Sequence, residues 1–275
     1  MTAHVPRFYY TVHPQDLSRR RLSFGCHVML VAAAYWDNAR GRFRMHRPPA
    51  DHIKSICIDS GGFTAARRWG RYPWTIEQYV DFVRAVSRDV PLDFCAILDY
   101  ACEPGVDRST YRTNRGRIKA TIRNDAACRA AAPDLPWLSV LQGDSLEERA
   151  FDLVLRARVG MLPTDYAGVG SVCGRGVAGA RSAIKFYADH LPGVKLHGFG
   201  MHIQALDDDA VFGALRSWDS YTWNWGRGQK GMDRPAEYYQ IDGEKYGEFT
   251  KRLSGLYWHN TIKPRLDRDR QGVLW

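Results

Sequence analysis

The chain has 275 residues, 45% of them hydrophobic and 25% charged, with a formal net charge of +9 and a pI near 9.3. That composition excludes disordered and fibrous classes, and no apolar run approaches the roughly 20 residues of a membrane-spanning helix. The length suits one α/β barrel or two ordinary domains; with no linker, low-complexity tract or repeat in view, one domain over 1–275 is expected.

The N-terminus, "MTAHVPRFYYTVH", lacks the charged-then-apolar layout of a signal peptide, which points to a cytoplasmic protein. After the basic stretch "LSRRRLSF" (Leu17–Phe24), short apolar runs alternate with helix-length amphipathic segments. "HVMLVAAAY" (His27–Tyr35) and "SICID" (Ser55–Asp59) read as strands, the second breaking into a tight, exposed turn at Gly61-Gly62. A helix over 75–89 begins at Thr75, with Gln78 at the capping-box position. "FCAILD" (Phe94–Asp99) is the next strand, and a helix over 109–132 follows it. "WLSVLQG" (Trp137–Gly143) leads to a helix over 145–159, capped by Ser145 with Glu148 in its first turn. "YAGVGSV" (Tyr166–Val172), a helix over 178–190, "KLHGFG" (Lys195–Gly200), a helix over 204–215 and "DSYTW" (Asp219–Trp223) complete the alternation.

Such repetition means parallel strands with helical crossovers, and either a closed barrel or an open doubly wound sheet satisfies it. No GxGxxG opens a helix and no GxxxxGK[ST] occurs, so a (β/α)8 TIM barrel is the expectation. In that fold the strand ends converge on one rim, where active sites are built. Asp59-Ser60, Asp99, Gln142-Gly143 and Gly168–Ser171 close successive strands, and Asp219-Ser220 opens the last.

The six cysteines are scattered without zinc-ligand spacing, so no metal or cofactor site is assigned. His197 and His202 read as satisfied loop histidines. Besides Leu17–Phe24, basic residues concentrate in "TYRTNRGRIKATIRN" (Thr110–Asn124) and "IKPRLDRDR" (Ile262–Arg270). Together with nine tryptophans and fourteen tyrosines they suit a nucleic acid with unstacked bases. Arg112, Arg115, Arg117, Lys119 and Arg227 are the candidate contacts, although a solvated helix face explains the first four almost as well. The cluster "WDSYTWNWGRG" (Trp218–Gly228) suits either stacking around a base or plugging the rim.

Six pieces in order resemble the motifs of tRNA-guanine transglycosylases. They are "IDSGGF" (Ile58–Phe63), "LDYACEP" (Leu98–Pro104), "VLQGD" (Val140–Asp144), "YAGVGSVCGRG" (Tyr166–Gly176), "KLHGFGM" (Lys195–Met201) and "RSWDSYTW" (Arg216–Trp223). Those enzymes are (β/α)8 barrels that exchange guanine for a 7-deazaguanine. The family's CxCxxC zinc motif has no counterpart here, Thr64 stands where a glutamine is usual, and Arg175 stands where the tRNA enzymes carry a glutamate. The GSVC signature and short chain are similar to the DpdA branch, which puts 7-deazaguanines into bacterial or phage DNA.

The resemblance implies a double displacement, with Asp219 as the nucleophile on C1′ and Asp59 as the acid/base group. It implies that Asp99 reads the guanine N1–H and amine, that Gln142-Gly143 and the backbone of Gly170 and Ser171 address O6, and that Ser60 binds the base or a phosphate. The implied partners are DNA, with the target nucleotide flipped, and a free base such as 7-cyano-7-deazaguanine (preQ0). A homodimer and accessory proteins both remain open. Two alternatives stand beside this reading: a reduced tRNA transglycosylase, and a non-catalytic nucleic-acid-binding barrel. Retention of both Asp59 and Asp219 favours an active enzyme.

Overall fold

The computed structural model describes residues 6–14, 26–48, 50, 53–106 and 109–220, and in them the alternation becomes a ring of strands. In chain order the strands are β1 (Arg7–Val12), β2 (Cys26–Val31), the hairpin β3 (Trp36–Asp37) and β4 (Arg42–Phe43), β5 (Ile53–Asp59), and β6 (Leu92–Ala96). They continue with β7 (Trp137–Leu138), β8 (Val140–Leu141), β9 (Tyr166–Val169), β10 (Lys195–Gly198) and β11 (Leu215–Ser220). Nine of them form one sheet in the order β7-β6-β5-β2-β1-β11-β10-β9-β8, and every pairing is parallel.

The two edges of that order are halves of one strand interrupted at Ser139. Leu138 O accepts from Ile97 N–H at 3.2 Å on one side, and Ser139 O accepts from Gly168 N–H at 2.8 Å on the other. The ends therefore meet, and the sheet is the closed (β/α)8 ring expected from the sequence.

Side chains alternate across each strand. Tyr9, Met29, Cys57, Phe94 and Leu138 cluster inside the ring, with Tyr166 and Phe199 packed against them. Their neighbours Val28, Leu30, Ile56 and Ile58 face outward onto Tyr79, Phe82 and Val83 of helix α3 (Ile76–Val86). Each such side chain taken out of water contributes about 1.5–3 kcal/mol. Thr75 and Ser145 form full capping boxes with Gln78 and Glu148, starting α3 and α5 (Leu146–Arg158) where expected.

Several elements differ from the sequence reading. Strand β1 was not expected at all, and β2 ends at Val31, passing into the one-turn α1 (Ala32–Tyr35). The glycines after Asp59 make no exposed turn. Gly61, in the left-handed region at φ 77°, caps the helix α2 (Gly62–Trp69), and Ser60 and both glycines are buried. The segment 204–215 is a 3-10 turn (Ile203–Asp207) followed by a short helix over Asp209–Ala214. Finally, Asp219-Ser220 closes β11 instead of opening a strand, which places Asp219 at the same rim as the other strand ends.

The opposite end of the ring is sealed by polar side chains. Asp93 Oδ2 accepts from Arg7 Nη1 at 2.9 Å and from Tyr9 hydroxyl at 2.7 Å, and Ser55 Oγ joins them. That seal leaves the rim at the strand C-termini as the open face.

Candidate active site

Asp219 arrives at the rim because β11 pairs in register with β1, setting Tyr9 beside Asp219. Both of its carboxyl oxygens accept hydrogen bonds. Thr11 Oγ1 of β1 donates to Oδ2 at 2.6 Å, and Gly200 N–H donates to Oδ1 at 2.9 Å. His197 Nε2 lies 3.2 Å from the same Oδ1. His197 is fully buried on β10 inside the ring, so it is not a loop histidine; burial lowers its pKa, opposed by Asp219.

Asp59 sits at the end of β5, beside Val31 of β2, and is only partly buried. Gly61 N–H donates to its Oδ1 at 3.0 Å, the one resolved contact that favours the ionised form. Burial and then the negative charge of Asp99, with a smaller push from Asp219, raise its pKa to about 7. Those are the conditions under which a carboxyl both gives and takes protons near neutrality.

Asp99 is held from two sides. Ser60 Oγ donates to Oδ1 at 2.6 Å and Gln142 Nε2 donates to Oδ2 at 2.6 Å. Burial raises its pKa to about 6, and those two hydrogen bonds oppose the rise. Tyr72 hydroxyl donates to the Asp99 carbonyl at 2.5 Å. Ser171 Oγ donates to Gln142 Oε1 and accepts from Cys102 N–H at 2.9 Å. Ser171 is the one non-glycine among the described residues with positive φ, at 58°, a strain of about 1–3 kcal/mol of the kind found at functional sites. Behind this wall, Asp152 accepts from Gln142 N–H at 3.4 Å. Asp152 also pairs with the fully buried Arg156, which reaches Asp125 at 2.9 Å.

A cavity of about 370 Å³ opens over these groups, lined by Thr11, Asp59, Asp99, Gly170, Ser171 and Asp219 among others. Its volume is in the range of small-ligand pockets. Ser60 and Gln142 hold Asp99 and, like Gly143, do not line the cavity. The Gln142 amide is committed to Asp99 and Ser171, and Gly170 N–H is committed to Leu141 O at 2.9 Å. Neither Gln142 nor Gly170 N–H is therefore free for a base O6 as the wall stands. Gly170 is required there: a Cβ would lie 2.4 Å from Gln142 Nε2.

The family model DpdA, described as DeoxyPurine in DNA protein A, matches residues 36–236. The chain belongs to the DpdA family. Membership puts it in the tRNA-guanine transglycosylase superfamily as a transferase of DNA modification, with DNA as its substrate. No curated protein is similar enough to match. The matched DpdA region holds Asp59, Asp99, Gln142, Ser171 and Asp219, whereas Thr11 on β1 lies outside it.

Within this DpdA-family barrel the basic candidates separate. Arg112, Arg115 and Lys119 are exposed around the start of α4 (Asn114–Ala131) and do not line the cavity; Arg115 stacks 5.1 Å from the Phe151 ring centre. Arg117 is buried and corrects the expectation of a nucleic-acid contact. Its guanidinium donates to Tyr111 O at 2.9 Å, Asn114 Oδ1 at 2.9 Å and Val106 O at 3.0 Å, tying down the loop before the helix. Arg227, Leu17–Phe24, Ile262–Arg270 and the aromatic cluster beyond Ser220 lie outside the described residues.

Besides Thr11, three polar residues that line the cavity were not singled out as site residues in the sequence. Arg68 on α2 and His13 after β1 line the cavity as basic groups. Glu103 lines it too, and burial raises its pKa to about 8, with Arg175 opposing. Arg175 itself pairs with Asp144. A polar residue three or four positions past a strand-end aspartate is the signal that could have found Glu103. Among the described residues no group of three or more His, Cys, Asp or Glu side chains is arranged to hold a metal ion, and no helix is long and apolar enough to cross a membrane.

Proposed function

We propose that this barrel exchanges guanine in DNA for a 7-deazaguanine through a covalent intermediate on Asp219. The observation that carries the reading is the meeting, in one cavity, of Asp219 with three donors on its carboxyl oxygens and Asp59 with its pKa raised to about 7. Retaining glycosyl transfer uses such a division of labour between two carboxyl groups.

In the first half-reaction an Asp219 oxygen attacks C1′ of a flipped deoxyguanosine as the bond from C1′ to N9 breaks. Asp59, protonated, gives its proton to the leaving base. Guanine departs, the free 7-deazaguanine enters, and Asp59 takes the proton from its N9. That nitrogen then attacks C1′, and the bonding pair to Asp219 returns to the carboxylate.

Asp99 accepts from the N1–H and exocyclic amine. An adenine would offer no matching donors on that edge and would set its N1 lone pair against the carboxylate, so the selectivity comes from two lost hydrogen bonds and a repulsion. Arg68 and His13, at the cavity, are suited to the phosphates flanking the flipped nucleotide. A neutral 7-cyano base is the preferred incoming substrate, because the glutamate that the tRNA enzymes carry near the incoming base is absent, Arg175 standing in its place.

The test is incorporation of labelled guanine, and of 7-cyano-7-deazaguanine read by nucleoside mass spectrometry, into duplex DNA and into tRNA. Incorporation into DNA that is abolished by Asp219→Ala supports the reading. Labelling of tRNA with inert DNA sinks it.

A further inference from the structure

Among the described residues, the interior layer of the ring is largely aromatic and aliphatic. His197 sits fully buried among Tyr9, Phe94 and Phe199, with ring centres 6.1, 4.9 and 4.5 Å away. A polar ring in such a layer is costly to bury unless its nitrogens are satisfied, and both are. Nδ1 lies 2.6 Å from Ser217 Oγ, which lies 2.6 Å from the Tyr166 hydroxyl, and Nε2 lies 3.2 Å from Asp219 Oδ1.

With a neutral imidazole this run of hydrogen bonds has one self-consistent direction. A carboxylate accepts only, so Nε2 carries the proton and donates to Asp219. Nδ1 must then accept from the Ser217 hydroxyl, and Ser217 accepts from Tyr166. A neutral histidine fits both contacts, and burial favours the neutral form. Together with Gly200 N–H, His197 puts two donors on Oδ1, whereas Oδ2 has Thr11 alone among the resolved donors. Oδ2 is thereby the oxygen with room to bond C1′, and Oδ1 is the one that becomes the ester carbonyl.

We propose that His197 is a positioning residue for the second half of the exchange, holding Oδ1 so that the Asp219 carboxylate leaves C1′ readily. This rests on the proposed role of Asp219 as nucleophile. In the glycosyl ester the charge on Asp219 is gone and the donors on Oδ1 interact weakly. As N9 of the incoming base bonds to C1′ and passes its proton to Asp59, the electron pair of the C1′–Oδ2 bond returns to Asp219. The donors on Oδ1 then face a full charge, and hydrogen bonds to ions are about twice as strong as neutral ones. The same donors make Asp219 a weaker nucleophile in the first half. Removing His197 therefore slows release more than attack, and the covalent adduct accumulates.

The experiment compares wild type, His197→Phe and His197→Gln on a guanine-containing duplex. Adduct formation is read on a denaturing gel and adduct decay in a chase with 7-cyano-7-deazaguanine. Phenylalanine keeps the ring packing without the donor; glutamine restores an N–H at the Nε2 position. The expected result is decay about ten- to a hundredfold slower in His197→Phe, the loss of one charge-assisted hydrogen bond, with a larger adduct fraction and near wild-type decay in His197→Gln. Ser217→Ala, which removes the partner fixing the tautomer, should slow decay several-fold in the same direction, and it serves if the phenylalanine variant does not fold. Unchanged decay in His197→Phe or in Ser217→Ala, or formation and decay falling by one common factor, overturns the proposal. Exchange by the wild type with no adduct on Asp219 overturns the nucleophile assignment, and this inference with it.

Discussion

Replacing Asp59 with asparagine should stabilise the folded chain above neutral pH while stopping exchange. Burial, the charge of Asp99 and the smaller effect of Asp219 move the Asp59 pKa from an ordinary 3.8 to about 7. At about 1.4 kcal/mol per pH unit, ionising Asp59 in the folded state costs about 4 kcal/mol more than in the unfolded chain. Partial exposure of Asp59 and its coupling to Asp99 reduce that to about 2–4 kcal/mol. Between pH 4 and pH 7 the folded state binds more protons at this site than the unfolded state. Stability contributed by the site therefore falls as pH rises through that window and levels off above it. Asparagine stays neutral throughout and keeps an oxygen for Gly61 N–H, so it escapes the penalty. Urea unfolding of both proteins at pH 4, 6 and 8 should give nearly matched stabilities at pH 4 and a gain of about 2–4 kcal/mol for Asp59→Asn at pH 8. Equal stability at pH 8, or an offset that does not change with pH, would refute the reasoning.

Gly170→Ala should place a Cβ against Gln142 Nε2, where only 2.4 Å is available, and push the amide off Asp99. Guanine exchange should fall about tenfold or more in steady-state assays while the chain still unfolds cooperatively. Asp125→Ala should leave Arg156 buried with half its ion pairs and cost about 3–5 kcal/mol in urea unfolding. Arg68→Ala should lower the salt dependence of DNA binding by about one phosphate contact in a filter-binding titration. Arg117→Ala should leave that slope unchanged and lower the melting temperature instead, because its donors all end within the protein.

The ring was legible in the sequence because its middle strands are apolar runs bounded by polar strand ends, and the two capping boxes marked helix starts by local chemistry. Strand β1 was hidden for a physical reason. In "RFYYTV" the inward residues Arg7, Tyr9 and Thr11 serve a polar seal and a carboxylate contact, so the alternation does not separate polar from apolar. The helix after Asp59 was masked by Gly61-Gly62, which read as breakers. Gly61 supplies a left-handed cap, and Gly62 lets the Asp99 carbonyl approach to 2.4 Å of where a Cβ would stand. Asp59, Asp99 and Asp219 were visible as strand-end acids, but the burial of Arg117 and His197 was not. Both residues carry polar groups whose partners come from elements distant in sequence or from backbone carbonyls, and no spacing rule encodes those.

The hydrogen bond from Thr11 to Asp219 joins side chains 208 positions apart, across the seam where the first strand meets the last. Contacts of such long sequence separation are slow to form, because the loop must close before they contribute. The donor set on Asp219 is therefore completed only when the ring shuts. A partly folded chain, however much of its helical shell is in place, lacks the threonine contact on Asp219. The full set of contacts on Asp219 is thus a late product of folding, made by the same event that closes the ring.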